Sequence, residues 1–390
     1  MLRSGDIITL GAAGLLALGV VMVNSASVRV DAEQAMTATS VLTSKAAFHG
    51  LLAAVAMLIA SRLPLREIAR SERLVRYMPL LFVVLVGLLG LVYIDGIGRT
   101  VNGARRWLYL PGTSFSFQPS ELAKWGMLIV LTCYGVSRAA RIHQFRTGLL
   151  PGLAMLGIVS AVVALEDLGT GVLIAASGCL VLVAAGARVW HLAMFIPIGL
   201  AGFAAAVWSN PYRIDRITSF LDPYAQPQGD GYHMIQSLVA ISNGHGAGRG
   251  LGFGLQKFGY LPEDQTDFLF AIVCEELGLA GAGLVVGAYI VLICTAVGIV
   301  RRQQDPLLKL FALGVTATFG LQAVINLFVV TGMAPTKGIA LPLMSYGGTG
   351  WIMTAACLGL LAAIDRAQPE EETGLATGPT VRGADSIVPA

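Results

Sequence analysis

Charge is scarce in this chain. Asp, Glu, Lys and Arg make up 13% of its 390 residues, against roughly 25% in ordinary soluble domains, and that shortage excludes a water-soluble globular protein. Cysteine is rare too. Cys133, Cys179, Cys274, Cys294 and Cys357 all fall in apolar stretches and lack the spacing of metal ligands, so neither a disulfide framework nor a zinc site is expected. No internal repeat is evident. The net charge of +3 gives no reason to invoke nucleic acid. What the chain has in quantity is apolar side chains, 55% of the total, with a mean hydropathy of +0.73.

A hydrocarbon core of about 30 Å is crossed by about 20 apolar residues at about 1.5 Å each. Runs of that kind predict ten spans, near residues 7–25, 40–61, 77–94, 119–136, 149–165, 171–187, 190–208, 267–300, 308–331 and 343–364. The fifth to seventh have very short connections and are expected to be short or tilted. The fold class predicted is an all-α integral membrane protein. The first run lacks a convincing cleavage site at its exit, Asn24-Ser25-Ala26-Ser27, and reads as a span, not a signal peptide. Basic residues orient the chain, because short cytoplasmic loops retain Lys and Arg. With the N-terminus inside, fifteen of the 26 fall on the inner side, nine on the outer, and Lys45 and Lys124 within spans. N-in, C-in is favoured.

Three outer segments, 95–120, 209–266 and 332–348, are too polar and too rich in Gly and Pro to be mere connectors. The middle one is a large extracytoplasmic loop of about 58 residues, far beyond the typical connection of about 4 to 6. Within it Tyr232, Ile235, Leu238, Val239 and Ile241 recur at helical spacing; the helix would lie on the membrane surface or pack against the protein. The glycine run from Gly244 to Gly254 allows tight turns or close approach to a ligand.

At the loop's end Asp267 stands just before the eighth span, where an acid could serve chemistry or cap the helix. Glu275 and Glu276 lie about 12 to 14 Å further along, costly unless paired or facing a polar cavity. Glu121 and Lys124, three residues apart behind Pro119, can pair on one helix face, as structure or as part of a site. Asp167 is another acid at an outer helix end. Lys337 places one cation before the last span, beside the flexible run Leu341 to Gly348. A diphosphate site would need such cations. Residues 367–390 read as a disordered cytoplasmic tail behind a membrane domain of residues 1–366.

Taken in order, Asn102-Gly103-Ala104-Arg105-Arg106-Trp107, Phe117 to Lys124, Asp167 to Thr170, Gly229 to Ile241, Gln256 to Phe270 with Glu275-Glu276-Leu277-Gly278, and Pro335 to Gly348 resemble the SEDS family (shape, elongation, division and sporulation). These are membrane glycosyltransferases that polymerise peptidoglycan from lipid II. The resemblance spans nearly the whole chain and leans to the FtsW branch and its sporulation relative more than to the RodA branch. Gln265, Glu166 and Gly350 depart from the usual pattern, which has His, Pro and Ser at those places.

The resemblance implies chemistry. The glycan on undecaprenyl diphosphate is the donor, and the 4-hydroxyl of the GlcNAc on lipid II attacks its MurNAc anomeric carbon. An α-linked donor giving a β-1,4 bond means inversion, with one base and cationic help for the departing diphosphate. It implies Asp267 as that base and Lys337, Glu121, Lys124, Asp167 and one of Arg105 and Arg106 as substrate-binding residues, with Arg213 or Arg216 as a further cation for the diphosphate. It also implies a divalent cation (Mg or Mn) at the diphosphate and no organic cofactor. The implied partners are a class B penicillin-binding protein, division regulatory proteins and membrane lipid, at the septum of a bacterial cytoplasmic membrane. A lipid II flippase, or an inactive scaffold, is the competing expectation.

Overall fold

A computed structural model of the chain describes residues 2–27, 37–101, 104–109, 116–209, 211–229 and 231–368. Arg29, Asn102, Gly103, Arg382 and the expected tail beyond Gln368 lie outside them. The helices run α1 Ser4–Ala26, α2 Ala38–Leu42, α3 Lys45–Ser61, α4 Leu65–Arg70 and α5 Arg73–Leu91. After a small sheet come α6 Pro119–Ser137, α7 Leu150–Glu166, α8 Leu168–Ala184, α9 Val189–Ala193, α10 Ile196–Trp208, α11 Pro211–Leu221 and α12 Tyr232–Asn243. The chain ends with α13 Leu269–Arg302, α14 Pro306–Val330 and α15 Gly348–Arg366.

Among the described residues seven helical stretches are long and apolar enough to cross a membrane: Ser4–Ala26, Arg73–Leu91, Phe145–Glu166, Val189–Trp208, Leu269–Arg302, Pro306–Val330 and Gly348–Arg366. The apolar helices α3 and α8 are shorter, at 17 residues each, and α6 carries Glu121 and Lys124 in its first two turns. Small residues let these helices close on one another. A Cβ on Gly359 of α15 would stand 2.3 Å from the Met57 carbonyl of α3, and one on Gly19 of α1 would stand 2.7 Å from the Met344 carbonyl.

The expectation of an all-α chain needs one correction. Residues 98–117 contain a three-stranded antiparallel sheet, β1 Gly98–Val101, β2 Ala104–Tyr109 and β3 Ser116–Phe117. Its Thr, Val, Trp, Leu and Tyr are good strand formers, but the runs are too short for periodicity to reveal. The last span also begins later than expected, at Gly348, because Leu343 has φ 65° and sits in a loop. The described residues of the long loop include the α-helices α11 and α12 and a 3-10 turn at Pro223–Ala225. α12 is the expected amphipathic one, and it packs on the protein: Met234, Ser237 and Ala240 are buried, and Ser237 Oγ donates to the Val330 carbonyl at 2.7 Å. Of the expected tail, Gln368 is still tied to the bundle, its Nε2 donating to the Ile299 carbonyl at 3.2 Å.

α13 is interrupted at Gly278, whose φ of 61° and ψ of −155° are not helical. That region is essentially open only to glycine. The glycine-rich loop packs against the break, and a Cβ on Gly278 would lie 2.3 Å from the Gly248 nitrogen. Gly278→Ala is therefore expected to destabilise the fold by at least about 1 to 3 kcal/mol, read as a lowered melting temperature in detergent.

The helix ends remote from the polar loops are closed by ion pairs. Arg366 lies 3.7 Å from Asp6, Arg302 lies 3.4 Å from Asp365, and Asp365 accepts from the Gly5 N–H at 2.8 Å.

Candidate active site

All three polar segments meet at the other end. Arg106 on β2 reaches across to the α7–α8 corner, its Nε and Nη2 donating to the Glu166 carbonyl at 3.0 and 2.6 Å and its Nη1 lying 3.5 Å from Asp167 Oδ2. Asp167 is fixed as the cap of α8, accepting from the Thr170 N–H at 3.0 Å and the Thr170 hydroxyl at 2.9 Å. Arg216 on α11 donates to the Thr336 carbonyl at 3.2 Å. The segment 335–340 then runs past Asp267: a Cβ on Gly338 would stand 3.2 Å from Asp267 Oδ2 and 3.8 Å from Arg106 Nη1. Glycine there keeps the carboxylate and guanidinium on one open surface.

Arg106, Asp167, Thr170, Arg216, Asp267 and Gly338 line a cavity of about 490 Å³ whose wall also includes Glu121, Lys124, Gln322, Tyr346 and Gly350. Lys124 is 1% exposed and would be intolerable alone in apolar surroundings. It is satisfied by Glu121, with Nζ 2.9 Å from Oε1 and 2.8 Å from Oε2, and by Gln322 Oε1 at 2.9 Å. A smaller cavity of about 180 Å³ shares Arg106, Asp167, Arg216 and Gly338 and adds Arg213 and Lys337. Asp267, Arg216, Lys337 and His233 come together in a third recess of about 50 Å³.

Asp267 does not cap α13: the N-cap is Phe268, with no side-chain cap. Its backbone carbonyl accepts from Asn326 Nδ2 at 2.8 Å, and the same amide donates to the Ile339 carbonyl at 2.8 Å, which fixes the acid against the 335–340 segment. Burial, then the neighbouring Glu263 and Asp167 carboxylates, push the Asp267 carboxyl from 3.8 up to about 7, against the pull of Arg216 and Arg106. The Lys337 ammonium, 5.6 Å from the centroid of the Phe203 ring, is lowered by burial and held up in part by Asp167.

The structure brings together Asp267, Lys337, Asp167, Arg106, Glu121 and Lys124 from the sequence-derived set. It leaves Arg105 out. Adjacent strand residues point to opposite faces, so Arg105 turns to Asp95 at 3.1 Å, where both side chains are largely exposed. Arg213 reaches the smaller cavity while capping two helices, donating to the carbonyls of Ala206 at 3.0 Å and Leu165 at 2.8 Å. Gln322 and Asn326 escape the sequence reading, and Tyr346 enters it only within the run Pro335 to Gly348. The first two stand four apart in an apolar span, a polar pair on one helix face that could have been noticed. Among the described residues no three His, Cys, Asp or Glu side chains could hold a metal ion. The divalent cation implied by resemblance thus has no cage built by these residues.

Fold and site together define a polytopic helical membrane protein that concentrates acids and cations around a cavity at one end of its bundle. The chain belongs to the FtsW/RodA/SpoVE family of cell cycle proteins, whose family model matches residues 6–370. It is 39% identical over 366 residues, 92% of each chain, to a probable peptidoglycan glycosyltransferase FtsW of Nitrosococcus halophilus. It is 40% identical over 288 residues to the stage V sporulation protein E of Bacillus subtilis, covering 74% of this chain and 78% of that one. Among solved structures, it resembles a chain from a study of the structural coordination of polymerization and crosslinking by a peptidoglycan synthase complex. There the TM-score is 0.70 at 26% identity, over 93% of this chain and 98% of that chain. It likewise resembles the rod shape determining protein RodA of Thermus thermophilus, with a TM-score of 0.63 at 25% identity, covering 93% and 96%.

Proposed function

We propose that this chain extends peptidoglycan by an inverting displacement in the charged cavity, with Asp267 as general base. The enzyme class is peptidoglycan glycosyltransferase, as its curated relatives are named. The observation that carries the mechanistic reading is a carboxylate beside a cluster of cations. Asp267 shares its recess with Arg216 and Lys337 and faces Arg106 across Gly338.

An acceptor sugar hydroxyl needs a base whose conjugate acid titrates near the working pH. A carboxyl lifted to about 7 by burial and like charges suits that task better than an ordinary exposed aspartate. As the hydroxyl oxygen bonds to the anomeric carbon of the donor, Asp267 takes its proton and the carbon–oxygen bond to the diphosphate breaks on the opposite face. Lys337, Arg106 and Arg216 meet the negative charge left on the leaving group, arginine as a fork and lysine as a point charge. Glu121 and Lys124 shape the floor of the cavity for the sugars. In this reading the ten helical stretches span the membrane with both termini inside, at the division septum, beside a class B penicillin-binding protein that supplies crosslinking.

The pH dependence follows with opposite signs for rate and stability. The base acts deprotonated, so turnover is expected to rise with pH about a midpoint near 7. It should fall again below the ordinary lysine value of 10.5 as Lys337, lowered by burial, loses its proton. A carboxyl raised on folding favours the folded state when protonated, so its contribution to stability is full below about 3.8 and is lost as pH rises through about 7. The test is initial rates of glycan formation from lipid II between pH 5 and 10, with melting curves on the same samples. A flat rate profile across pH 6 to 8 would count against Asp267.

A further inference from the structure

Ten residues before Asp267 the same loop carries a charge that the proposed mechanism does not use. Lys257 and Glu276 form an ion pair of 2.9 Å with both side chains 0% exposed. Lys257 Nζ also donates to the Gly252 carbonyl at 2.7 Å and lies 3.3 Å from Ser25 Oγ at the end of α1. The Ser25 hydroxyl in turn donates to Glu276, at 2.8 and 2.7 Å from its two oxygens. The loop backbone then turns its N–H groups toward both acids: Gly252 and Gly254 to Glu276 at 3.0 and 3.3 Å, Leu255 and Gln256 to Glu275 at 3.0 and 3.1 Å.

Such a pair is a poor way to gain stability. Removing two charges from water costs as much as their attraction returns, and apolar residues of like volume often serve as well. What apolar residues cannot do is fix the register of a loop, because they offer no acceptor to the N–H groups. The register set here is carried to Asp267 by further hydrogen bonds. Leu261 N–H donates to the Gln256 carbonyl at 2.9 Å, and Thr266 and Phe268 N–H each donate to the Glu263 carbonyl at 3.2 Å. Tyr346 N–H donates to the Gln265 carbonyl at 2.9 Å, which joins the loop to the cavity wall.

We infer that Lys257, Glu276 and Ser25 are positioning residues for the catalytic base: the buried triad locks the loop that presents Asp267 between α1 and α13. The inference rests on the assignment of Asp267 as base. None of the three lines the cavity, so their influence passes through the loop, and its signature is a fall in kcat with little change in KM. A displacement of about 1 Å at a reacting group is enough for about a 10²-fold loss.

The experiment uses the full chain with its transpeptidase partner, the latter silenced at its nucleophile, and lipid II as substrate. Wild type, Asp267→Asn, Ser25→Ala, Glu276→Gln and the double variant Lys257→Met with Glu276→Met are compared for kcat, KM, pH profile and melting temperature. Ser25→Ala, the mildest change, is expected to lose about fivefold in kcat, in proportion to one hydrogen bond, with KM unchanged and the melting temperature lowered by only about 2 to 4 °C. The double variant leaves no lone buried charge but orphans the Gly252 and Gly254 N–H groups, so it is expected to stay folded with a lowered melting temperature and to turn over about 10²-fold more slowly, with its rate midpoint displaced from that of wild type. Wild-type kcat and an unshifted midpoint in both Ser25→Ala and a folded double variant would overturn the inference and leave the base assignment standing. A silent wild type, folded and partner-bound, would take down both, whereas an active wild type with an equally active Asp267→Asn would remove the base and its positioning residues together.

Discussion

Asp267→Asn is expected to reduce glycan polymerisation by about 10²- to 10⁴-fold, the range over which positioned general bases contribute, while leaving the protein folded. The substitution keeps volume and removes only the charge and the ability to take a proton. Nothing in the packing opposes it, because the hydrogen bond that fixes this residue runs from Asn326 to its backbone carbonyl. The loss should fall on kcat, since the acceptor hydroxyl needs the base only as its proton leaves. Two of the neighbouring carboxylates, Glu263 and Asp167, would feel less repulsion in the variant, so its melting temperature should match or exceed that of wild type. The measurement is single-turnover extension of a labelled lipid-linked glycan, with partner co-purification as the control for folding. Turnover of the variant within threefold of wild type would end the assignment.

The second large effect is expected at Lys337. Lys337→Met should lower kcat by about 10²- to 10³-fold, as removal of one preorganised charge from a transition state typically does, and should raise KM because diphosphate is anionic already in the ground state. Lys337→Arg should recover part of the loss, since charge is kept but the compact ammonium becomes a fork that needs different geometry. The ammonium rests against the Phe203 ring at 5.6 Å, so methionine keeps that contact and folding should not suffer. Equal rates for Lys337→Met and wild type at saturating lipid II would move the leaving-group role to Arg106 and Arg216.

Much of this site was legible in the sequence because its acids and cations lie in an apolar chain, where each charge costs energy and so draws notice. Glu121 and Lys124 stand out for that reason, whereas Asp267 and Lys337 take their expected roles from the family resemblance of the segments around them. Arg106 could not be separated from Arg105, since the choice depends on which way a six-residue strand faces. By sequence Lys257 is one more cation of the 209–266 loop, yet it is wholly buried; its partner lies on a helix nineteen residues later, and only the fold brings them together. The glycine run was read as room for a turn or a ligand. It turned out to fold onto α13 itself, with the carboxylates of Glu275 and Glu276 as its anions.

The break in α13 also sets a height. From Leu279 to Arg302 the helix is about 36 Å long at about 1.5 Å per residue, already sufficient for a hydrocarbon core of about 30 Å. The nine residues from Leu269 to Leu277 are thus surplus to crossing and form a pedestal about 13 Å long, with Asp267 two residues beyond its upper end. Sugars belong at that level and prenyl tails do not. A lipid-linked donor would then stay anchored in oil while its reducing end reacts in the headgroup layer, and the lengthening polymer would leave sideways into water without crossing the bilayer again.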